Sequence, residues 1–271
     1  KIQRSATIMV EFSPPYGGHM QALALMMFHS RQIVFSEGST PHIQLILRWI
    51  HFVAGITWVG LLYFFVLINA KFLPALDPAT RMKVIPLLMS RALWWFRWSS
   101  VVTVFAGIWY WMMIVGADAR NAQASGGGAI GTFFGIWTVA FAIEMGLLMS
   151  PADVLRKRPV YGTLMAVVVM GAAWLYLALN AHGWESNRLL AIGIGGGLGW
   201  FMLLNVWGIV WRMQKKIIRW TEASAANGTP MPPEAAKLAR LAQLAAQTNF
   251  ILSFPMLLMM AVASHYPIFR S

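Results

Sequence analysis

Residues 189–211 read LLAIGIGGGLGWFMLLNVWGIVW. No charged side chain interrupts them. A helix needs about 20 mostly apolar residues to cross the hydrocarbon core of a bilayer, so this run is long enough to span. Arg212, Lys215, Lys216 and Arg219 follow at once. Such an abrupt change from apolar to basic marks a helix leaving the membrane on the side where positive charge collects.

The rest of the chain agrees with this stretch. Only 11% of the 271 residues are charged, whereas a water-wetted domain carries about a quarter. The mean hydropathy is +0.61. Fourteen Trp fit a chain with many membrane–water boundaries, where indole is at home. Five more segments qualify as spans: 45–73, 94–115, 129–149, 162–179 and 249–263. The last is short, and the helix-favouring run 235–247 continues into it. The reading is therefore all-α: a polytopic integral membrane bundle of about six helices. Residues 1–44 are read as an N-terminal segment, with a short interfacial helix over 20–28. Residues 45–271 form the transmembrane domain.

Charge sets the orientation. The first loop carries Lys71, Arg81, Lys83, Arg91 and Arg97, the third Arg156, Lys157 and Arg158, and the fifth Arg212 to Arg240. The second and fourth carry only Arg120 and Arg188. Loops one, three and five are expected in the cytoplasm and both termini in the periplasm, within a bacterial inner membrane. The net charge of +12 is then a property of those loops, and no nucleic-acid partner is expected. With no Cys in the chain, disulfides, Fe–S clusters, thiolate zinc sites and covalently attached haem are excluded. No Gly-rich dinucleotide motif precedes a soluble helix, which argues against NAD or FAD.

Within the spans, Gly193/Gly197 and Gly195/Gly199 stand at i,i+4, and Gly131/Gly135 repeats the spacing. Small residues so placed let a second helix approach closely; the alternative is room for a flat cofactor or a lipid. Pro255 is expected to kink span six and free the Ile251 carbonyl. Ionisable groups in a bilayer are costly and face the protein interior. His51, His182 and His265 all fall in the outer half. Two histidines on different helices could bind haem b as axial ligands, with His51 and His265 the metal-ligating pair. The plainer alternative is histidines bonded to a neighbouring helix or simply wetted. Glu144, toward the inner end of span three, is either paired with Arg97 or Arg156, or serves as a proton or quinone-site carboxyl. Asn205 and Asn249 read as interhelical hydrogen-bonders. The 18 Met read as lipid-facing filler rather than a copper path.

Three stretches carry a family likeness: Arg48-Trp49-Ile50-His51-Phe52-Val53-Ala54-Gly55-Ile56-Thr57-Trp58-Val59-Gly60, Trp95-Phe96-Arg97-Trp98, and Gln247-Thr248-Asn249-Phe250 through Pro255-Met256 to Ser264-His265-Tyr266-Pro267. Together they resemble the urate oxidase N-terminal domain family, the membrane domain of a bacterial urate hydroxylase that is often followed by cytochrome c. The resemblance runs from Arg48 to Pro267. It implies a membrane subunit linked to electron transfer and a cytochrome c partner on the periplasmic side. It also implies functional roles for His51 and His265, with Arg48, Trp58, Asn249 and Pro255 in the matching motifs. The chain departs from the family between spans one and two, where 71–91 holds neither the His-Gly-Gly-Gly-type motif nor any histidine. Leu93 or Trp94 stands where a family histidine precedes the Trp-Phe-Arg-Trp stretch. Three functions follow: a redox subunit holding haem or docking cytochrome c, a cofactor-free accessory subunit of a larger respiratory or photosynthetic complex, and urate hydroxylation.

Overall fold

The computed structural model describes residues 36–269, and the expected interfacial helix over 20–28 lies outside them. Ile43–Ser271 falls in one compact unit. Among the described residues the fold is all-helical, and six helices are long and apolar enough to cross a membrane. They are α1 (Ser39–Ala75), α2 (Pro78–Asn121), α3 (Gly127–Met149), α4 (Arg158–Ala178), α5 (Asn187–Asn227) and α6 (Ala235–His265). Ile56, Leu87 and Trp174 are at least 70% exposed. Such side chains at such exposure fit contact with lipid, and the chain is a multi-pass membrane protein.

The helices outrun the expected spans. α2 has 44 residues, about 66 Å of helix against a hydrocarbon core of about 30 Å. The basic stretches expected as loops after spans one and five are largely helical, and helix continues through Pro74 and Pro86. Asp77 caps α2, its carboxylate accepting from the Thr80 amide at 3.0 Å, and Pro78 stands at the first helical position. Ser186 caps α5 in the same way, accepting from the Leu189 amide at 3.2 Å. Gly228 ends α5 at φ 66°, a left-handed turn that glycine adopts without strain. α6 is helical through Pro255.

α5 is the hub of the bundle. It packs against α2, α3 and α6, and 72% of its most apolar window is buried, against 11% for α1. Its glycines explain this. The Tyr176 ring of α4 lies where Gly193 would carry a Cβ, and the Trp137 ring of α3 does the same at Gly197. At Gly195 a Cβ would come within 2.8 Å of Met259 Cβ and 3.2 Å of the Met256 carbonyl on α6. The glycine faces are thus filled by two aromatic rings and a helix backbone, not by a flat cofactor. Gly131 and Gly135 differ: among the described residues nothing stands within 4 Å of where either would carry a Cβ.

Two π-helical turns interrupt the regular geometry, at Phe64–Asn69 in α1 and Val206–Val210 in α5. The second redirects α5. Above it the glycine face meets α3, α4 and α6. Within and just beyond it, Trp207 and Trp211 turn to Arg97 of α2, whose guanidinium carbon lies 4.9 and 4.1 Å from the two ring centroids.

Candidate functional site

The most polar part of the interior is a junction of four helices near the basic end of the bundle. Glu144 of α3 is fully buried there. Tyr161 of α4 donates its hydroxyl to Glu144 Oε1 at 2.6 Å. Asn205 of α5 directs its amide toward the same oxygen at 3.3 Å, and donates to Asn249 Oδ1 at 2.8 Å and the Ala245 carbonyl at 3.0 Å, both on α6. Asn249 in turn donates to the Met202 carbonyl at 3.1 Å. The Thr248 hydroxyl has one proton and two acceptors in reach, Tyr161 Oη at 3.3 Å and its own helix's Leu244 carbonyl at 3.1 Å. Glu144 Oε2 is buried and lacks a protein partner among the described residues.

Glu144 does not pair with either expected arginine. Arg97 is held over Trp207 and Trp211, and Arg156 binds the Ser150 carbonyl and Asp153. Polar hydroxyl and amide groups surround the carboxyl instead. Asn205 and Asn249 do bridge α5 and α6. Tyr161 and Thr248 were not legible as members of this cluster. A tyrosine near a helix end reads as an ordinary interfacial aromatic, and only the fold brings its hydroxyl to Glu144.

His51 stands elsewhere, on α1 against α2. Its Nδ1 lies 2.7 Å from the Thr103 carbonyl oxygen, which can only accept, so Nδ1 carries the hydrogen and Nε2 the lone pair. A metal-ligating histidine is oriented in this way, its second nitrogen donating to a carbonyl. The ring lies over Gly107, where a Cβ would approach it to 2.7 Å. This tautomer leaves the Nε2 lone pair able to accept a hydrogen bond or a metal ion. The other two histidines are arranged differently. His182 accepts or donates through Nδ1 to buried Glu185 at 2.7 Å, with 65% of its side chain exposed. His265 ends α6 and is exposed. The residues after it fold back on α5, where Asn187 Oδ1 accepts from the Ile268 and Phe269 amides, each at 3.0 Å. No hydrogen bond or ring contact among the described residues joins the three histidines, and no three His, Asp or Glu side chains converge as a metal group.

Of the remaining motif residues, Arg48 lies 5.9 Å from the Tyr110 ring centroid. Trp58 is 1% exposed, and its indole N–H meets no acceptor among the described residues. No protein-family model matches the chain, and no curated protein or solved structure is similar to it.

Proposed function

We propose that this chain is a membrane subunit of an electron-transfer assembly, as the resemblance to the urate hydroxylase membrane domain implies, and that its buried Glu144 carboxyl handles protons there. The observation that supports this reading is the Glu144 carboxyl, fully buried between four helices with Oε1 held and Oε2 without a hydrogen-bond partner among the described residues. An ionisable group at this depth is costly to keep and usually serves transport or catalysis. The Thr248, Tyr161 and Glu144 side chains form a continuous line of hydroxyl and carboxyl groups. The Thr248 hydroxyl can turn from the Leu244 carbonyl to donate to Tyr161 Oη while Tyr161 donates to Glu144 Oε1, and the Glu144 carboxyl is the group that takes up or releases the proton. Electron transfer to a reducible partner needs such a group wherever protons accompany the electrons. The lysine and arginine bias supports placement in a bacterial inner membrane with this junction toward the cytoplasm and both termini periplasmic.

The test is an infrared pH-difference spectrum of the purified protein. A protonated carboxyl band that follows pH and vanishes in Glu144→Gln is expected, with melting nearly unchanged because glutamine keeps the acceptor. A band that ignores pH, or one that persists in the variant, overturns the reading.

His51 supports a second reading, a b-type haem with His51 as one ligand. When bound, haem would supply reversible one-electron chemistry; His51 would hold it through Nε2 while Thr103 fixes the ring. A reduced-minus-oxidised visible spectrum, compared with His51→Ala and His265→Ala, decides it. A signal lost in both variants supports a bis-histidine subunit. A flat spectrum from intact protein favours an accessory subunit without a cofactor.

A further inference from the structure

A groove of about 1000 Å³ runs along α5 beside α3, at the basic end of the bundle. Its two ends differ in chemistry. The inner end is apolar: Phe141 and Met145 of α3 close on Gly208, where a Cβ would meet Phe141 at 2.8 Å and Met145 at 3.3 Å. The outer end is lined by Arg212, Lys215, Lys216 and Arg219, all exposed. None of the lining residues is acidic. The four cations stand at i, i+3, i+4 and i+7, so they share one face of α5. The wall between the two ends is Trp207 and Trp211, fixed from behind by Arg97.

We infer that this groove binds an anionic phospholipid, its phosphate on the α5 cations and an acyl chain along Phe141, Met145 and Gly208. Charge complementarity selects the occupant. Four cations with no ion pair among the described residues call for an anion, and the apolar continuation calls for a chain attached to it. A free phosphate would use only the outer end, and a neutral quinone or lipid only the inner one. The step from apolar to basic lining falls where α5 leaves its apolar run, the level of lipid headgroups. Gly208, against which Phe141 and Met145 pack at the apolar end, lies in the π-helical turn. The inference is independent of the proton-handling reading, since Glu144 does not line the groove.

Native mass spectrometry of the detergent-purified full chain tests this, with dioleoyl phosphatidylglycerol, phosphatidylcholine of the same chains, or inorganic phosphate added. Phosphatidylglycerol is expected to stay bound in preference to phosphatidylcholine, and phosphate is expected not to displace it. Each of Arg212→Gln, Lys215→Gln and Lys216→Gln should weaken binding about fivefold, the effect of one cation near a lipid surface. The control pair Arg81→Gln and Lys83→Gln on α2 should leave it unchanged. Arg81 is half-buried and the other positions are exposed, and each variant is first checked for unchanged melting without lipid; Lys216→Glu gives a stronger single-site form of the same test. Equal retention of both lipids, displacement by phosphate alone, an equal loss in the α2 control, or full binding by the α5 variants would each overturn the inference.

Discussion

At the scale of single residues, the glycines carry much of the specificity. Gly107 matters because the His51 ring occupies the space a side chain would need. Gly107→Val should therefore destabilise the protein by about 1–3 kcal/mol, the usual cost of overpacking. The cause can be isolated. In a His51→Ala background the ring is gone, and the same substitution should cost much less, so a double-mutant cycle in detergent melting should show strong coupling. Additive effects would mean that Gly107 is crowded by something other than His51. Gly193 and Gly197 show how near the sequence came to ambiguity. Their spacing announced a close approach, but only the fold shows that aromatic rings from two different helices arrive there.

Elements show their own logic in α5. A π-helical turn holds one residue more than the α-helix it interrupts, and so offsets everything beyond it. That offset lets one helix present glycines to α3, α4 and α6 and then tryptophans to α2. Deleting Gly208 should let the turn revert to regular helix while both halves keep their facing. Deleting Met202, fully buried in the regular part, rotates one half against its neighbours by about 100°. The first deletion should yield folded protein with a modest drop in melting temperature, and the second should abolish folding; equal damage would deny the turn its role. The start of α2 gives a pH test. Side-chain hydrogen bonding with Thr80, then the Thr80 amide, lowers the Asp77 carboxyl below its usual range. A lowered folded-state value means that the capping carboxylate adds stability above the ordinary aspartate range and loses it as pH falls through the folded value. Asp77→Asn, which still caps but cannot titrate, should remove that acid sensitivity from fraying of the α2 start, read by proteolysis at the 76–80 junction.

For the whole molecule, the prediction concerns orientation. The chain has no Cys, so a single introduced thiol reports its own side. A cysteine in place of Ser125, between α2 and α3, should react with a membrane-impermeant maleimide on intact cells. One in place of Ala225, near the basic end of α5, should react only after lysis. The opposite pattern would reverse the proposed topology. α1 is the least buried helix, while α5 is nearly enclosed. The bundle is thus built around a late element in the chain.

The sequence by itself determined the number of helices, their order and the basic ends, because each follows from apolar length and local charge. It also marked the glycine spacing of α5 and the asparagines that bridge α5 and α6, since small and polar residues in apolar runs are conspicuous. It set Glu144 and His51 apart for the same reason. Tertiary structure alone decided what those groups meet. It gave Glu144 a tyrosine and an asparagine in place of an arginine, put Arg97 on a tryptophan wall, and kept His51 with Thr103 rather than with another histidine. Such partners come from helices far apart in the chain, and their meeting depends on crossing positions and on an offset of one residue in α5, which no local pattern encodes.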